Sequence, residues 1–296
     1  MRLLVIGKTG QLARAIAEQE PNATFLDRNA CDLSKGPDHI RSALEGPLSD
    51  ADAVIIAAAY TAVDQAETDV DTAHAVNAIA PSVIAELAAE RNLPVVHIST
   101  DYVFQGNATE PYQPDAPTDP INVYGRTKRD GEVAIRQANP RSAILRTSWV
   151  YDASGKNFMT TMLRLAKDRN TVTVVNDQIG RPTYAADLAK AAILVAQNLQ
   201  NGEDDASGIF HVSNAGLAIS WADFARTIFE KAEAHGASPT TVVDIPSRDY
   251  PTPAKRPSYS VLDISDFETK LGMEMHAWEA GLDQALNRYF TNRPSD

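Results

Sequence analysis

The segment Leu3-Leu4-Val5-Ile6-Gly7-Lys8-Thr9-Gly10-Gln11-Leu12-Ala13 contains the pattern that decides the fold. An apolar strand over residues 3–7 runs directly into two glycines and then into a helical pattern over residues 11–19. Glycines at this point permit a tight turn and a close backbone approach to a phosphate, which then faces the amino terminus of the helix. The segment predicts a pyrophosphate-binding turn, with contacts at Gly7, Gly10, Gln11 and Leu12.

An acidic residue at the end of the second strand strengthens this prediction, because a strand–turn–helix unit with glycines also occurs without a nucleotide. Asp27 stands about 20 residues past the glycine turn, the spacing of an acid that holds the adenosine ribose of NAD. Arg28 follows at once and suits the 2′-phosphate of NADP, so the choice between NADH and NADPH stays open. Asp32 and Leu33 are predicted to border the adenine, with a helix N-cap as the alternative for Asp32.

The first half of the chain alternates short apolar runs with helical segments, which is typical of a parallel sheet wrapped by helices. We predict an α/β fold with a doubly wound parallel Rossmann sheet, whose ligand crevice lies at the carboxyl ends of the strands. The predicted strands are 3–7, 24–27, 53–57, 95–99 and 142–147, and the predicted helices between them are 11–19 and 64–90.

The second half is less regular, because Pro and Gly recur between its helical patches. We predict a dinucleotide-binding domain over residues 1–150 and a smaller substrate-binding domain over 151–296. The boundary is soft, since short strands at 172–175 and 209–212 allow parts of 171–215 to return to the first sheet. Helices are predicted at 158–167, 185–197 and 221–234.

Composition narrows the class of ligand. The chain has 296 residues, 44% of them hydrophobic, and a formal net charge of −12. Nucleic-acid binding depends on clustered cations, so we expect a small-molecule substrate and no nucleic-acid partner. No apolar run approaches the roughly 20 residues needed to span a bilayer, and no membrane role is expected. A single cysteine and the absence of a signal-peptide pattern favour a cytoplasmic protein.

Small residues follow the third strand at Ala57-Ala58-Ala59-Tyr60-Thr61. Such a run suits a backbone that lies flat against a ligand, so Ala57, Ala59, Tyr60 and Thr61 are further candidates for cofactor contact; helix-friendly packing is the alternative. Asn77 lies on an otherwise apolar helical face and needs partners if it is buried, most simply at the neighbouring strand end.

A hydroxyl, a phenol and an ammonium group form the candidate catalytic set. Thr100 ends the fourth strand, and Tyr124 and Lys128 share one face of a later helix. A nearby ammonium lowers the pKa of a phenol, so Tyr124 is predicted to be tuned toward working pH and to exchange a proton at a carbonyl or alcohol. Lys128 is also expected to hold the nicotinamide ribose. The six histidines show no close ligand spacing, so no metal is predicted in the site; His97 is expected to be a core residue.

Segments spread over nearly the whole chain carry a family resemblance: residues 7–12, 57–64, 99–104, 122–125, 146–151, 176–183 and 251–257. On these segments the chain resembles the extended short-chain dehydrogenase/reductases and, within them, the dTDP-4-dehydrorhamnose reductase family. The resemblance implies NADPH- or NADH-dependent reduction of the carbon-4 ketone of dTDP-4-dehydro-L-rhamnose. It also implies that Thr100, Tyr124 and Lys128 are catalytic and that Asp101 and Trp149 contact the nucleotide-sugar substrate. Arg256 is our candidate for the diphosphate, because a planar guanidinium suits phosphate oxygens; a surface salt bridge is the alternative.

Two departures from the family pattern limit what the resemblance implies. Some members form dimers through magnesium bound by glutamates, one of them in the first helix, and Ala13-Arg14-Ala15-Ile16-Ala17 has no acid there. A magnesium-held dimer is therefore doubtful, and we expect a monomer or a weak homodimer. Ala13 replaces the usual third glycine and is expected to be tolerated.

Two other interpretations stay open. A reductase or 4,6-dehydratase of another nucleotide sugar is one, although a dehydratase is expected to have an Asp-Glu pair where this chain has Asp101-Tyr102. The other is a non-catalytic NADP-binding subunit, similar to the regulatory partner of methionine adenosyltransferase.

Overall fold

The computed structural model describes residues 1–291, apart from the side chain of Asp204; residues 292–296, at the end of the predicted second domain, lie outside the described residues. In chain order the strands are β1 (Leu3–Ile6), β2 (Thr24–Leu26), β3 (Ala53–Ile56), β4 (Val95–Thr100), β5 (Ser142–Thr147), β6 (Val150–Tyr151), β7 (Thr171–Val175), β8 (Ile179–Gly180), β9 (Thr183–Tyr184), β10 (Gly208–His211), β11 (Ile219–Ser220) and β12 (Thr241–Ile245). The α-helices are α1 (Gln11–Gln19), α2 (Pro37–Ser49), α3 (Val63–Ala66), α4 (Val70–His74), α5 (Ala80–Glu90), α6 (Val123–Ala138), α7 (Phe158–Leu165), α8 (Ala185–Asn201), α9 (Trp221–Glu233), α10 (Ser265–Leu271) and α11 (Trp278–Thr291). Short 3-10 turns lie at Leu33–Lys35, Asp101–Val103, Asp204–Ala206 and Ser247–Asp249, and a π-helical turn spans Ala75–Ile79.

Six strands form one parallel sheet in the order β10-β5-β4-β3-β1-β2. The first strand pairs with β2 on one side and with β3 on the other, so the winding reverses between β1 and β3. In open α/β sheets a ligand binds at the carboxyl ends of the strands beside such a switch point. The predicted doubly wound parallel sheet is confirmed, and its crevice lies beyond Ile6 and Ile56.

Helices cover both faces of this sheet, as its almost wholly apolar strands require. On one face α1 and α8 bury residues such as Ile16 and Leu188 against β1 and β3. On the other face α2 and α5 bury Ile40 and Ile84. A third cluster of buried apolar side chains joins α7, α9 and α11 outside the main sheet, around Phe224. The division into two domains at residue 150 stays a prediction.

The second half supplies one strand to the main sheet. The strand predicted at 209–212 forms as β10 and pairs with β5, with Ile209 opposite Ile144. The strand predicted at 172–175 forms as β7, but it pairs with β12 in a separate two-stranded parallel sheet. Residues 171–175 therefore do not join the main sheet, because β7 packs with α9 in the third cluster.

One helical prediction is wrong, and one helix was missed. The helix predicted over 64–90 is interrupted after α3 and again by the π-helical turn. At the first interruption, the Glu67 carboxylate accepts a hydrogen bond from the backbone N–H of Val123 at 2.8 Å. Helix α2 was not predicted, because its Gly46 and Pro47 obscure a helical pattern.

Helix α6 approaches the π-helical turn very closely at Gly131. A methyl group built on Gly131 would lie 2.1 Å from the carbonyl oxygen of Asn77, which is far inside contact distance. Only glycine allows α6 to lie this near its neighbour, and the approach fixes the position of the helix that carries Tyr124 and Lys128.

We predict that Gly131→Ala lowers the free energy of unfolding by about 1–3 kcal/mol, because backbone must shift to admit the methyl group. Gly46→Ala is the matched control, since nothing lies within 4 Å of its added methyl group in α2. The control should raise stability by about 0.4–1 kcal/mol through a lower unfolded-state entropy. Urea unfolding of the three proteins measures both effects, and equal stabilities for the two variants would contradict the prediction.

Candidate active site

The glycine turn lies at the switch point of the sheet. Gly7 has φ +120°, a conformation that favours glycine, and a methyl group there would lie 3.1 Å from the backbone nitrogen of Ala58. Gly10 precedes α1 without any side-chain cap, and nothing lies within 4 Å of a methyl group built on it. The first N–H groups of α1 therefore have no side-chain cap at Gly10. Ala13 is buried and fits the helix–strand contact as expected.

The acidic residues after β2 organise their own loop. Asp27 accepts hydrogen bonds from the backbone N–H groups of Asn29 and Ala30 at 2.9 and 3.0 Å. Asp32 caps the 3-10 turn by accepting from the backbone N–H of Ser34 at 3.0 Å, which is the N-cap alternative. The Arg28 side chain is 78% exposed and lies 3.4 Å from Asp32. Leu33 is buried in the core beneath this loop.

Asn77 fixes the loop that follows β3. Its amide oxygen accepts from the backbone N–H of Tyr60 at 2.8 Å, and its amide nitrogen donates to the carbonyl oxygen of Tyr60 at 3.1 Å. The same nitrogen donates to the Thr127 hydroxyl on α6 at 3.1 Å. Asn77 is 1% exposed, so the expectation of partners at the neighbouring strand end is confirmed. One side chain thus joins the Ala57–Thr61 loop to the helix of Tyr124 and Lys128.

Thr100 and Tyr124 meet where β4 ends and α6 begins. The Thr100 hydroxyl donates to the Asp101 carboxylate at 3.0 Å, and it lies near enough to the Tyr124 phenol to lower the pKa of that phenol. A methyl group on Gly125 would lie 2.1 Å from the carbonyl oxygen of Tyr102, so a glycine after Tyr124 is needed for this contact. The amide of Asn122 caps α6 by accepting from the backbone N–H of Gly125 at 2.8 Å.

Lys128 is almost fully buried, and its ammonium group is directed at β4. The Nζ atom lies 2.9 Å from Nε2 of His97 and donates to the carbonyl oxygen of Ile98 at 2.7 Å. Burial lowers the pKa of Lys128 to about 7, although the charge of Glu132 opposes this shift. His97 was expected to be only a core residue, and the sequence gives no signal of its contact with Lys128.

The predicted lowering of the Tyr124 pKa is wrong. Burial raises the pKa of Tyr124 to about 12, and the charge of Asp101 adds to this, while the nearby Thr100 hydroxyl opposes it. Lys128 shares a helix face with Tyr124, but its ammonium group is held by His97 and Ile98 on the strand. The phenol is consequently protonated at neutral pH, the form required of a proton donor.

A buried ion pair stands behind Lys128. Glu132 accepts two hydrogen bonds from Nε and one from Nη2 of Arg146, and both side chains are 3% exposed. The Ser99 hydroxyl also donates to Glu132. Neither residue was predicted for the site.

The candidate substrate residues line the other side of the crevice. Asp101 is 3% exposed, and burial raises its pKa to about 6. Arg256 donates to Asp64 at 2.8 Å, and its Nη1 atom is buried with no partner among residues 1–291. Asp64 also accepts from the backbone N–H of Ala254, so it holds the segment around Arg256. The role of Asp64 was missed, although it ends a segment of the family resemblance.

Trp149 has one aromatic partner that was not predicted. Its indole stacks on Trp221 with ring centroids 3.5 Å apart and planes at 10°. Gly180 also lies against the indole, because a methyl group there would come within 2.5 Å of it. Trp149 has φ +48°, which is uncommon for a bulky residue and is concentrated at functional sites. Trp221 gave no signal beyond being a tryptophan at a predicted helix start.

No group of three His, Cys, Asp or Glu side chains in the described part of the chain is arranged to hold a metal ion. Among residues 1–291, no helix is long and apolar enough to cross a membrane.

A Rossmann sheet with a glycine turn at its switch point, and a Thr, Tyr and Lys set on β4 and α6 beside it, define the class of extended short-chain dehydrogenase/reductases. Residues 1–291 match the family described as RmlD substrate binding domain. A dTDP-4-dehydrorhamnose reductase from Sinorhizobium fredii is 43% identical over 285 residues, 94% of each chain. The chain belongs to the dTDP-4-dehydrorhamnose reductase family.

Solved structures agree with this assignment. A dTDP-4-dehydrorhamnose reductase from Clostridium acetobutylicum is 35% identical with a TM-score of 0.88, over 97% of this chain and 99% of that chain. The enzyme of the same name from Bacillus anthracis, in complex with NADP, is 33% identical with a TM-score of 0.87 over 99% of each chain.

Ionisation of the buried Asp101 should make stability depend on pH. Because its folded pKa is raised above the unfolded value, the native state binds the proton more tightly, and stability falls as pH rises from about 4 to about 6. A shift of about two pKa units corresponds to about 3 kcal/mol. Between pH 4 and pH 8, the free energy of unfolding of Asp101→Asn should therefore fall by about 3 kcal/mol less than that of the wild type. Urea unfolding at the two pH values measures this difference. Asp119→Asn, at an exposed site, should follow the wild-type curve; parallel curves for Asp101→Asn and wild type would refute the assignment.

Proposed function

We propose that the protein reduces the carbon-4 ketone of dTDP-4-dehydro-L-rhamnose to dTDP-L-rhamnose, with NADPH or NADH as the reductant. The observation that carries the proposal is the protonated Tyr124 phenol beside Thr100, at the carboxyl end of β4. Relatives that match nearly the full chain are named for this reaction. The substrate class is a nucleotide sugar.

The residues around the glycine turn fit a dinucleotide. The amino terminus of α1 at Gly10 has no side-chain cap, a feature that a bound pyrophosphate would satisfy. We assign Gly7, Gly10, Gln11 and Leu12 to the pyrophosphate side. The rest of the proposed cofactor site comprises Asp27, Arg28, Asp32, Leu33, Ala57, Ala59, Tyr60, Thr61, Tyr124 and Lys128.

A nicotinamide held by these residues would supply the hydride for carbon 4 of the ketone. Tyr124 donates its phenolic proton to the ketone oxygen, so that hydride and proton together give the alcohol. Thr100 orients the phenol and the ketone oxygen through its hydroxyl group. Lys128 is assigned to the nicotinamide ribose, to which its ammonium group would donate.

Substrate recognition is assigned to Asp101, Trp149 and Arg256. Asp101 lies beside Thr100 and can accept from a sugar hydroxyl. The stacking of Trp149 on Trp221 and its contact with Gly180 favour contact through the exposed part of the indole over stacking on a base. The unpartnered Nη1 of Arg256 supports the assignment to the diphosphate.

The exposed guanidinium of Arg28 favours NADPH, because it is available to the 2′-phosphate. The structure of the Bacillus anthracis relative contains NADP. We infer a cytoplasmic protein that acts as a monomer or a weak homodimer that is not held together by magnesium.

Gly10→Val should weaken NADPH binding by at least tenfold, because its side chain would occupy the space in front of α1. Thermal unfolding should change little, since nothing lies within 4 Å of the added Cβ atom. Isothermal titration calorimetry with NADPH and with NADH checks both the effect and the preference. Unchanged binding in Gly10→Val would remove the cofactor from the glycine turn.

Tyr124→Phe should lower kcat by roughly 10²–10⁴-fold, as expected when a general acid is lost. The assay follows NADPH and NADH absorbance with dTDP-4-dehydro-L-rhamnose made in situ. Tyr250→Phe, at an exposed tyrosine, is the control and should retain wild-type activity. Cofactor binding without wild-type turnover would favour the non-catalytic subunit or another nucleotide sugar.

A further inference from the structure

The contact between His97 and Lys128 has no part in the proton transfer described above. Both side chains are buried, at 0% and 1% exposure, and they meet across β4 and α6 at 2.9 Å. Burying an ammonium group is costly unless acceptors surround it. Two acceptors reach Lys128 from β4, namely Nε2 of His97 and the carbonyl oxygen of Ile98.

The tautomer of His97 follows from this contact. An ammonium group has three donors and no acceptor, so Nε2 of His97 must be unprotonated and must accept. A neutral ring then carries its proton on Nδ1. Burial and the charge of Lys128 both keep the pKa of His97 well below its ordinary value, which agrees with a neutral ring.

The Nδ1 atom of His97 is buried and has no partner among residues 1–291. A buried N–H without a partner costs stability, and such groups in native structures call for an explanation. A leucine at this position in β4 would avoid that cost. The acceptor that Nε2 provides to Lys128 is the compensating interaction.

We propose that His97 is a positioning residue that holds Lys128 as an ammonium ion, turned toward β4, and leaves one N–H of Lys128 to donate into the crevice. The inference deepens the proposed function and rests on it for its kinetic consequence.

Few other charges face the Lys128 ammonium. Glu132 lies one turn later on α6 and favours the charged form, but Arg146 of β5 is paired with it at 2.7 Å. The charge of Asp101 acts on the Tyr124 phenol, whose pKa it raises. The remaining titratable groups on the elements packed against α6 have other partners or face away: Asp64 pairs with Arg256, Glu67 accepts from the Val123 N–H, and His74 lies by Asp130. Glu86 and Glu90 of α5 lie by Arg41, Asp71 of α4 is exposed, and Tyr102 is a neutral phenol whose pKa is raised by burial. His97 is therefore the neutral acceptor whose removal changes Lys128 most directly.

The first test uses the wild type and needs no substrate. In protein labelled with ¹⁵N-histidine, long-range ¹H–¹⁵N spectra report which ring nitrogen carries the proton. His97 should be a neutral ring protonated on Nδ1 below pH 7, where Lys128 is an ammonium ion. A ring protonated on Nε2 would overturn the proposal, whatever reaction the protein catalyses.

The second test measures the pKa of Lys128 by ¹³Cε NMR of lysine-labelled protein, with Lys128→Met to assign the signal. His97→Leu removes an acceptor from the charged form and should lower this pKa by one unit or more, whereas His97→Gln keeps an acceptor and should stay within half a unit of wild type. His97→Met serves as a second apolar variant if His97→Leu does not fold.

His211→Leu is the matched control. His211 is another fully buried histidine of the same sheet, in β10, and it packs on Phe104 without touching Lys128. This variant should leave the Lys128 pKa unchanged even if it lowers thermal stability. Equal Lys128 pKa values in His97→Leu and His211→Leu would show that His97 serves packing alone and would overturn the proposal.

Loss of His97 should also shift the pH dependence of kcat. A Lys128 pKa one unit lower leaves a tenfold smaller ammonium fraction at pH values above both pKa values. The alkaline limb of the kcat profile should move to lower pH in His97→Leu by the shift seen in NMR, with the limb of His211→Leu unmoved. If the wild type shows no reductase activity, the proposed function fails while both NMR tests still decide the role of His97.

Discussion

The close docking of α6 against its neighbours is the constraint on which the site depends. At two points of this helix no side chain separates it from another backbone: Gly125 lies against the carbonyl of Tyr102, and Gly131 lies against the carbonyl of Asn77. Because the helix is this near, Tyr124 reaches Thr100 and Lys128 reaches β4. Any larger residue at either glycine would separate the phenol and the ammonium from the strand that they contact.

The close docking of α6 buries charged side chains, and the residues around them offset the free-energy cost of removing them from water. Lys128 receives two acceptors from β4, and Glu132 is neutralised by Arg146 at 3% exposure. Pairing of this kind is required because an unpaired buried charge is strongly destabilising. The buried groups are held in one arrangement, so the site is organised by the same contacts that dock the helix.

Much of the fold could be predicted because its signals are local. The strand at 142–147 and the helix at 11–19 have the predicted bounds, since apolar runs and helical periodicity depend on neighbouring residues. The interruptions within 64–90 could not be predicted, because they depend on contacts of Glu67 and Asn77 with Val123 and Tyr60. The stacking of Trp149 on Trp221 likewise joins residues 72 positions apart in the sequence.

The sequence by itself determined the doubly wound sheet, the glycine turn at its switch point and the family. Each of these follows from the order and spacing of short motifs along the chain. Only the tertiary structure decided the ionisation of the site: Tyr124 stays protonated, and the Lys128 ammonium turns to His97 and away from the phenol four residues before it. The physical reason is that a pKa depends on burial and on partners from other elements, and neither can be read from the spacing of two residues on one helix.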